Sequence, residues 1–359
     1  MTISILYVLP VRGGGGGAHS VAQEANELVR FGARVRIAVN SANAASFATN
    51  YADLPDVARA VVPFDDEIDL GALMEGTDLV VATVCSSVAT IAEALEGMVG
   101  PRPRVGYYVQ DYEPLFFSPD DERHADAVES YERIPNALLF AKTDWIRDVV
   151  EKNHAVRVAK VAPSLDTSIY FPAIRPERDF LRVAAMVRPS TPRRAPRRTM
   201  SVLKEIKERH GDAVDVNVFG CSDADIVHHG LPCDFAHTNH GTLSRRQVAS
   251  LFRTTDVVLD LSDYQAFGRT GLEAMACGCA TLLTRFGGVH EYAVDGENCL
   301  LVDTRDRARI VERFDEYVAL GAERRRALRA AAVRTSQRYS IAGAAWSELE
   351  VFERHLAAA

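Results

Sequence analysis

The sequence has no long hydrophobic run, no excess of basic charge and few cysteines. No stretch approaches the roughly 20 apolar residues that span a bilayer, which argues against an integral membrane protein. The formal net charge is −8, and because phosphate backbones require a basic face, no nucleic-acid partner is expected. The six cysteines show no framework spacing, so structural disulfides are not expected either.

The first residues also lack the features of a secretion signal. No basic region precedes the apolar run at 1–10, which leads directly into a glycine loop and is therefore predicted to be a strand. We expect a cytoplasmic protein, and a peripheral contact with the inner face of a membrane is left open. A Gly-x4-Gly-Lys-Ser/Thr phosphate loop is absent, which removes the standard NTPase interpretation.

The chain does contain a regular alternation of strand-like and helix-like segments. Its 359 residues, 47% hydrophobic and 25% charged, are enough for two domains with separate cores. Short apolar runs at 3–9 and 34–39 enclose a segment with helical spacing, and this pattern repeats until it lapses at 163–176. A second series begins at 181, and after Asp303 the pattern is helical.

This alternation predicts an α/β fold of two Rossmann-like parallel sheets. We predict a first domain over 1–172, a second over 173–340, and a last helix, about 341–359, that returns to the first domain. Ligands of such folds bind at the carboxyl ends of the strands, and two sheets facing each other would enclose them in a cleft.

Five consecutive glycines, 13–17, follow the first strand and precede a helix. Glycines let the backbone approach a ligand closely, and the helix N-terminus offers N–H groups to an anion, so Gly16 and Gly17 are candidate donor contacts. A flexible surface loop is the alternative. As a nicotinamide fingerprint the loop is weak, because no acidic residue follows the second strand near Asn40 to hold a ribose.

Arginines follow the first strand of the second domain. Arg188, Arg193 and Arg194 lie in the segment 187–194, where a ligand crevice is expected, and guanidinium forks match the oxygens of a diphosphate. A solvated basic loop is the alternative, as charge runs usually are.

The segment 262–278 predicts a strand end, a loop and a helix start. With a helix beginning near Arg269 or Thr270, Glu273 falls in the first turn, where backbone N–H groups bind phosphate and a carboxylate accepts two ribose hydroxyls. A favourable interaction with the helix dipole explains Glu273 equally well.

Two acidic sites, Glu291 and the pair Asp223 and Asp225, each have a structural explanation besides a functional one. Glu291, after a second glycine turn, either meets sugar hydroxyls or caps its helix. Asp223 and Asp225 resemble an aspartate pair that holds a divalent ion, but a solvated acidic turn is the preferred interpretation.

Together these segments resemble glycosyltransferase family 4, retaining enzymes of the GT-B fold. The order matches over nearly the whole chain: a glycine-rich first loop, an Arg-x4-Arg pair, a Glu-x7-Glu-like element running into Ala-Met-Ala-Cys-Gly, then Gly-Gly-x-x-Glu and Gly-Glu-Asn-Cys-Leu-Leu-Val. The resemblance implies that Arg188 and Arg193 clamp the diphosphate, with Arg194 as the substitute, and that Glu273 binds the ribose. The full set of implied donor-binding residues is Gly16, Gly17, Arg188, Arg193, Arg194, Gln265, Phe267, Gly268, Arg269, Thr270 and Glu273.

The chain departs from the family pattern at two places. Gln265 stands where the first glutamate of the paired motif is usual, so it can offer an amide but no negative charge. The family's histidine near the reacting sugar is replaced within the segment 107–114, where Gln110 or Asp111 takes its place. Asp111, Gln110, Arg188 and Arg193 are the implied catalytic residues, although Asp111 is explained equally well as a loop cap.

The resemblance is narrower for rhamnosyltransferases of bacterial surface polysaccharides. It implies transfer of a hexose or deoxyhexose, rhamnose among them, from a dTDP- or UDP-sugar to a hydroxyl of a glycan, lipid-linked or natural-product acceptor. No cofactor and no metal are implied. The alternatives are a sugar-nucleotide epimerase, a dehydrogenase using the glycine loop, and a non-catalytic protein that binds nucleotide sugars.

Overall fold

The first part of the chain alternates strands and helices, as its sequence pattern predicts. The computed structural model describes residues 2–175 and 178–358, so the ends of the predicted domains at 1 and 359, and residue 176 of the lapsed segment, lie outside the described residues. The elements up to Lys160 are β1 (Ser4–Val8), α1 (Gly16–Arg30), β2 (Arg34–Asn40), α2 (Ser41–Asn50), α3 (Pro55–Ala60), β3 (Val61–Phe64), α4 (Glu67–Met74), β4 (Leu79–Ala82), α5 (Cys85–Gly97), β5 (Arg104–Val109), α6 (Glu122–Glu129), β6 (Leu138–Ala141), α7 (Asp144–Asn153) and β7 (Val158–Lys160).

The second series has the same alternation and ends in helices. Its elements are β8 (Leu181–Met186), α8 (Pro196–His210), β9 (Val214–Phe219), α9 (Asp223–His228), β10 (Thr238–Asn239), α10 (Arg245–Thr254), β11 (Val257–Asp260), α11 (Arg269–Ala276), β12 (Ala280–Thr284), β13 (Leu300–Val302), α12 (Arg307–Ala319), α13 (Ala322–Ser336) and α14 (Ile341–Ala357). Short 3-10 turns lie at Glu113–Phe116, Pro192–Arg194, Gly211–Ala213 and Gly288–Glu291.

The strands form two parallel sheets, each of the doubly wound type. The seven-stranded sheet has the order β3-β2-β1-β4-β5-β6-β7, and the six-stranded sheet has the order β10-β9-β8-β11-β12-β13. The central strands β1, β4 and β12 are buried along their whole length, which explains their continuous apolar sequences. The prediction of two parallel-sheet Rossmann-like domains is confirmed.

The chain divides into two units, each with its own core. The first comprises residues up to Ser164 together with those from Ser340 onward, and the second runs from Leu165 to Tyr339. The sequence places these divisions at 172/173 and 340/341. The segment after Ser164 belongs to the second unit because Leu165, Ile169 and Tyr170 pack into the core around α11.

The last helix, α14, is part of the first unit. It packs along α1, and its Phe352 is fully buried against Phe140. The hydroxyl of Tyr7 in β1 donates to the Glu348 carboxyl at 3.0 Å, and the Ala162 N–H donates to the Ser347 hydroxyl at 2.8 Å. The predicted return of the chain to the first domain is therefore made by a helix that completes its core.

Among residues 2–175 and 178–358, no helix is both long enough and apolar enough to cross a membrane. All six cysteines are free thiols.

Candidate functional site

Arg188 leaves the carboxyl end of β8 with its guanidinium largely buried. Within the described ranges no side chain or carbonyl pairs with that guanidinium in a hydrogen bond or salt bridge. Burial lowers the pKa of Arg188, and the nearby charges of Arg194 and Arg193 lower it further. A desolvated cation that is crowded by two others provides a strong site for an anion.

Arg193 and Arg194 form the short turn that follows, and both are partly exposed. Ala195 ends this turn with φ +49° and sets the start of α8 at Pro196. The carbonyl of Arg193 accepts the Asp263 N–H at 2.8 Å, so the arginine loop is tied to the loop after β11. The structure thus brings the three predicted arginines together.

The next arginines along the chain are structural. Arg198 donates to the Leu261 carbonyl at 2.7 Å and to Asp263 at 2.6 Å. Arg197 is exposed and donates to the His229 carbonyl at 3.2 Å. Their interactions distinguish them from Arg188.

The loop after β11 is held by a hydrogen-bonded group that the sequence does not reveal. Gln265 is buried, and its Nε2 donates to Oδ2 of Asp260 at 2.5 Å and to the Ser262 hydroxyl at 3.0 Å. The Ser262 hydroxyl in turn donates to Oδ1 of Asp260 at 2.6 Å. Asp260 is the last residue of β11, where a ligand-facing carboxylate is expected on topological grounds.

Glycines allow the loops after β11 and β12 to approach each other. Gly287 has φ +90°, and a Cβ placed on it would lie 2.2 Å from the carbonyl oxygen of Gln265. The Gly288 N–H donates to that same oxygen at 2.6 Å. Only glycine fits at 287, because the clash would be with backbone rather than with a movable side chain.

Phe267, Gly268 and Thr270 lead into α11. Gly268 is the N-cap with φ +87°, and its carbonyl accepts the Tyr292 hydroxyl at 2.7 Å. The ring of Phe267 meets that of Tyr292 edge-on at 5.5 Å between centroids. Gly268 has no side chain with which to cap α11. The first-turn N–H groups of a helix point toward its N-terminal end, where an anion can accept them.

Glu273 lies one residue beyond the first turn of α11, which corrects its predicted position. The helix begins at Arg269 because Gly268 is its cap, so Glu273 is the fifth helical residue, and no acidic residue lies in the first turn. Burial raises the pKa of Glu273 to about 7, although the charge of Arg269, 3.8 Å from its carboxylate, acts in the opposite direction. Stabilisation by the helix dipole is therefore a weak explanation for this buried carboxylate.

Three residues around Glu273 escape the sequence analysis. The Tyr170 hydroxyl hydrogen-bonds its carboxyl group, and the charges of Arg245 and Asp166 act on it. Arg245 lies 3.9 Å from Asp166. Asp166 and Tyr170 fall in the segment where the strand and helix pattern lapses, so no periodicity in the sequence marks them.

Glu291 and the aspartate pair have mainly structural contacts. Glu291 closes a short 3-10 turn, and its carbonyl accepts the Tyr339 hydroxyl at 2.7 Å. Ser222 and Asp225 form a capping box at the start of α9, in which each side chain accepts the backbone N–H of the other. The Asp223 carboxylate accepts a hydrogen bond from the Asn239 amide at 2.8 Å. These contacts match the acidic turn preferred for the pair.

The glycine loop and Gln110 meet in the first unit. Gly13 and Gly14 have φ near +80°, and α1 begins at Gly16 without a side-chain cap. A Cβ placed on Gly17 would lie 2.5 Å from Oε1 of Gln110, whose Nε2 donates to the Thr83 carbonyl at 3.2 Å. The amide of Gln110 therefore rests directly on the first turn of α1.

Asp111 is held by its own loop. Its carboxylate accepts the Tyr112 N–H at 2.9 Å, and its carbonyl accepts the Tyr131 hydroxyl at 3.4 Å. The next acidic residue, Glu113, is buried and accepts the Cys85 N–H at the start of α5 at 3.1 Å. The loop-cap interpretation of Asp111 thus has a visible contact, and its carboxylate is still half-exposed.

Comparison with known proteins finds a family similarity within the second unit. Residues 235–334 match the family model described as glycosyl transferases group 1. The fold is GT-B, and this segment is similar to that family. Anabaena Alr3699/HepE, solved in complex with UDP and glucose, superposes with a TM-score of 0.79 at 16% identity, covering 98% of this chain and 99% of that one.

Two curated relatives carry the sequence similarity. The O-antigen biosynthesis protein RfbC of Myxococcus xanthus is 29% identical over 273 residues, which are 74% of this chain and 20% of that protein. A D-inositol 3-phosphate glycosyltransferase of Arthrobacter sp. (strain FB24) is 41% identical over 66 residues, 18% of this chain and 16% of that protein. The chain thus spans about a fifth or less of the length of these relatives in the matched regions.

Proposed function

We propose that this GT-B protein is a retaining glycosyltransferase that moves a hexose or deoxyhexose from a nucleoside-diphosphate sugar to a hydroxyl acceptor. The observation that carries the proposal is Arg188, a largely buried cation at the carboxyl end of β8 that has Arg193 and Arg194 beside it and, among the described residues, no hydrogen-bonded or ion-paired acceptor. The oxygens of a diphosphate would act as acceptors for these guanidinium groups.

Glu273 supports the nucleotide part of the donor. A carboxylate can accept two vicinal hydroxyls, as a ribose presents them, and Glu273 is buried at the start of α11. The N-terminal end of α11, which follows Gly268 and includes Thr270, is a place where helix N–H groups bind phosphate oxygens. HepE, of the same fold, was solved with UDP, which supports a uridine or thymidine diphosphate as the donor's leaving group.

Chemically, the proposed step breaks the bond between the anomeric carbon and the diphosphate. Arg188 and Arg193 stabilise the negative charge that develops on the leaving diphosphate. The acceptor hydroxyl attacks the anomeric carbon from the same face, and its proton passes to the departing diphosphate oxygen. Preorganised charges of this kind supply most of the rate enhancement in such reactions. Gln110 or Asp111 would orient the acceptor hydroxyl or a donor hydroxyl, and no metal ion takes part.

The acceptor is proposed to be a glycan or a lipid-linked saccharide, with rhamnose as the candidate sugar. The similarity to an O-antigen biosynthesis protein over 74% of the chain supports a polysaccharide acceptor. The resemblance of the segments 107–114 and 188–194 to rhamnosyltransferases supports the sugar.

A thermal-shift screen with UDP, dTDP, UDP-glucose, dTDP-rhamnose and NAD tests the donor, because a ligand that binds the native state raises the unfolding midpoint. Stabilisation by one diphosphate and its sugar, but not by NAD, is expected. Stabilisation by NAD alone would overturn the proposal in favour of a dehydrogenase.

Product analysis then separates the remaining alternatives. With an acceptor saccharide, transfer with retained anomeric configuration and undiminished rate in EDTA is expected. A changed sugar nucleotide without any transfer would instead identify an epimerase. Binding without any turnover would identify a non-catalytic protein.

A further inference from the structure

Asp260 and Gln265 form a complementary buried pair at the end of β11. The Gln265 amide donates to Oδ2 of Asp260 at 2.5 Å, and Oδ1 of Asp260 accepts from the Ser262 hydroxyl at 2.6 Å. A carboxylate can only accept hydrogen bonds, so the amide nitrogen, and not its oxygen, must face Asp260. The orientation of the Gln265 side chain is therefore set by Asp260.

A glutamate at 265 would not fit this arrangement. Its carboxylate would meet that of Asp260 at hydrogen-bonding distance, and two like charges this close cannot both ionise. The glutamine thus leaves this part of the site with one negative charge, which is located on Asp260. The usual pattern of a charged residue at 265 is replaced by a charge five residues earlier in the chain.

Both members of the pair sit on a rigid support. The Gln265 N–H donates to the Phe286 carbonyl at 3.2 Å, and the Ser262 carbonyl accepts the Thr304 hydroxyl at 2.9 Å. These bonds tie the loop after β11 to the segments after β12 and β13. Because the backbone is fixed, the pair has little freedom to choose another rotamer.

The charge of Asp260 also acts on the arginine loop. It favours the charged form of Arg188, against the burial and the repulsion from Arg193 and Arg194 that disfavour it. Within 2–175 and 178–358, no group donates a hydrogen bond to the amide oxygen of Gln265. One residue thus holds the site's negative charge, and the other presents a neutral hydrogen-bond acceptor.

We propose that Asp260 is a positioning residue that turns the Gln265 amide oxygen toward a hydroxyl of the donor sugar and keeps a carboxylate near Arg188. This inference rests on the proposed function. It assigns to two residues the work that a single glutamate at 265 would do.

The test exchanges the two chemical groups in the full-length chain. The variants are Asp260→Asn, Gln265→Glu and the double exchange Asp260→Asn/Gln265→Glu, which restores one carboxylate and one amide in the opposite order. Asp263→Asn is the matched control, because Asp263 is a neighbouring carboxylate that pairs with Arg198. Unfolding midpoints are measured from pH 5 to 8 without ligand, and KM and kcat are measured with UDP-glucose and dTDP-rhamnose.

We expect Gln265→Glu to be destabilised most at pH 8 and least at pH 5, where a shared proton relieves the repulsion. The donor KM of Gln265→Glu should rise about tenfold at pH 8, as for the loss of one hydrogen bond. The double exchange, which keeps one carboxylate in the pair, should recover stability, donor KM and UDP affinity to within about threefold of wild type.

The stability measurements do not depend on activity, so a failure of the proposed function is visible separately as a wild-type protein that binds no nucleotide. A double variant that stays as unstable as Gln265→Glu would overturn the pairing. A double variant that recovers stability but not the donor KM would overturn the positioning role.

Discussion

Arginines of similar sequence context differ sharply in what their side chains contact. Arg188 is desolvated and has no hydrogen-bonded acceptor in the described part of the chain, whereas Arg197 and Arg198 each donate to a backbone carbonyl. A side chain that destabilises the ligand-free protein and lies at the carboxyl end of a strand is typical of a binding site. The contrast provides a matched experiment.

Replacing Arg188 by alanine should weaken the donor site without weakening the fold. A charge-assisted hydrogen bond contributes roughly 1.5 to 3 kcal/mol, so we expect the donor KM to rise at least about tenfold. Because the guanidinium is desolvated, the unfolding midpoint of the empty variant should be unchanged or higher. Arg197→Ala is the control, and steady-state kinetics with thermal unfolding check both statements. Wild-type donor kinetics in Arg188→Ala would contradict the clamp.

Glu273 gives a pH dependence with a definite sign. Burial raises its pKa to about 7, from an ordinary value near 4.5. Between these values the folded protein holds a proton that the unfolded chain has released, so this group's contribution to stability decreases as the pH rises through that window. Nucleotide affinity should increase over the same range, because the ionised carboxylate is the better acceptor for ribose hydroxyls.

The measurement compares wild type with Glu273→Gln from pH 5 to 8. The variant should lose this contribution to the pH dependence of the unfolding midpoint, and UDP affinity should become flat with pH. An unchanged pH profile of UDP affinity would contradict the ribose role.

The sequence predicts single residues best where a motif gives both type and spacing. Arg188, Arg193 and Arg194 lie together at the carboxyl end of β8, the edge predicted for them. Asp260 and Tyr170 could not be found in this way. The first depends on a contact with a specific amide, and the second lies outside any periodic element, so neither leaves a pattern in the chain.

At the scale of elements, the loops after strands are shaped by backbone contacts between neighbours. The loop after β12 approaches the loop after β11 so closely that Gly287 has no room for a side chain. Gly296 has a similar positive φ, +71°, but nothing lies near the position of its Cβ. The two glycines separate the cost of the dihedral angle from the cost of a clash.

Gly287→Ala should therefore be much more destabilising than Gly296→Ala. The positive φ costs an L-residue about 1–2 kcal/mol in both variants, and at Gly287 the ψ of −150° adds a conformation that is essentially restricted to glycine. Only Gly287→Ala adds a clash with the Gln265 carbonyl, so its loss of unfolding free energy should exceed the control by more than about 1 kcal/mol. Chemical denaturation measures the difference, and equal losses would mean that the two loops separate easily.

Long periodic elements were predicted from the sequence more reliably than short ones. The predicted runs at 3–9 and 34–39 contain β1 and β2, and the segment of helical spacing between them contains α1. The two-residue strand β10 and the short helices α3 and α9 were not predicted, because fewer than two helical turns or two strand repeats show no periodicity. The start of α11 at Arg269 agrees with the predicted range, and Glu273, the fifth helical residue, lies one position beyond the first turn.

At the scale of the whole molecule, the two cores draw on different stretches of the sequence. The first core uses residues before Leu165 and after Tyr339, and the second uses the residues between them. Phe352, near the end of the chain, is fully buried in the first unit, whereas Phe314 is buried in the second. Both tryptophans, Trp145 and Trp346, belong to the first unit. Tryptophan fluorescence therefore reports on that unit specifically.

Phe352→Ala and Phe314→Ala should both cost about 3–5 kcal/mol, but in different cores. Phe352→Ala should lower the midpoint seen by tryptophan fluorescence. Phe314→Ala should lower a midpoint seen by far-ultraviolet circular dichroism while leaving the fluorescence transition in place. A fluorescence midpoint that shifts equally in both variants would mean that the two units unfold together.

The position of α14 in the sequence affects the order in which the two units can fold during synthesis. The second unit, from Leu165 to Tyr339, is inserted into the first, whose core is completed by residues that follow Ser340. During synthesis on the ribosome the second unit is therefore the first to be fully available, although the first unit's strands emerge earlier. Until α14 is released, the apolar side of α1 that packs against it in the folded protein stays uncovered.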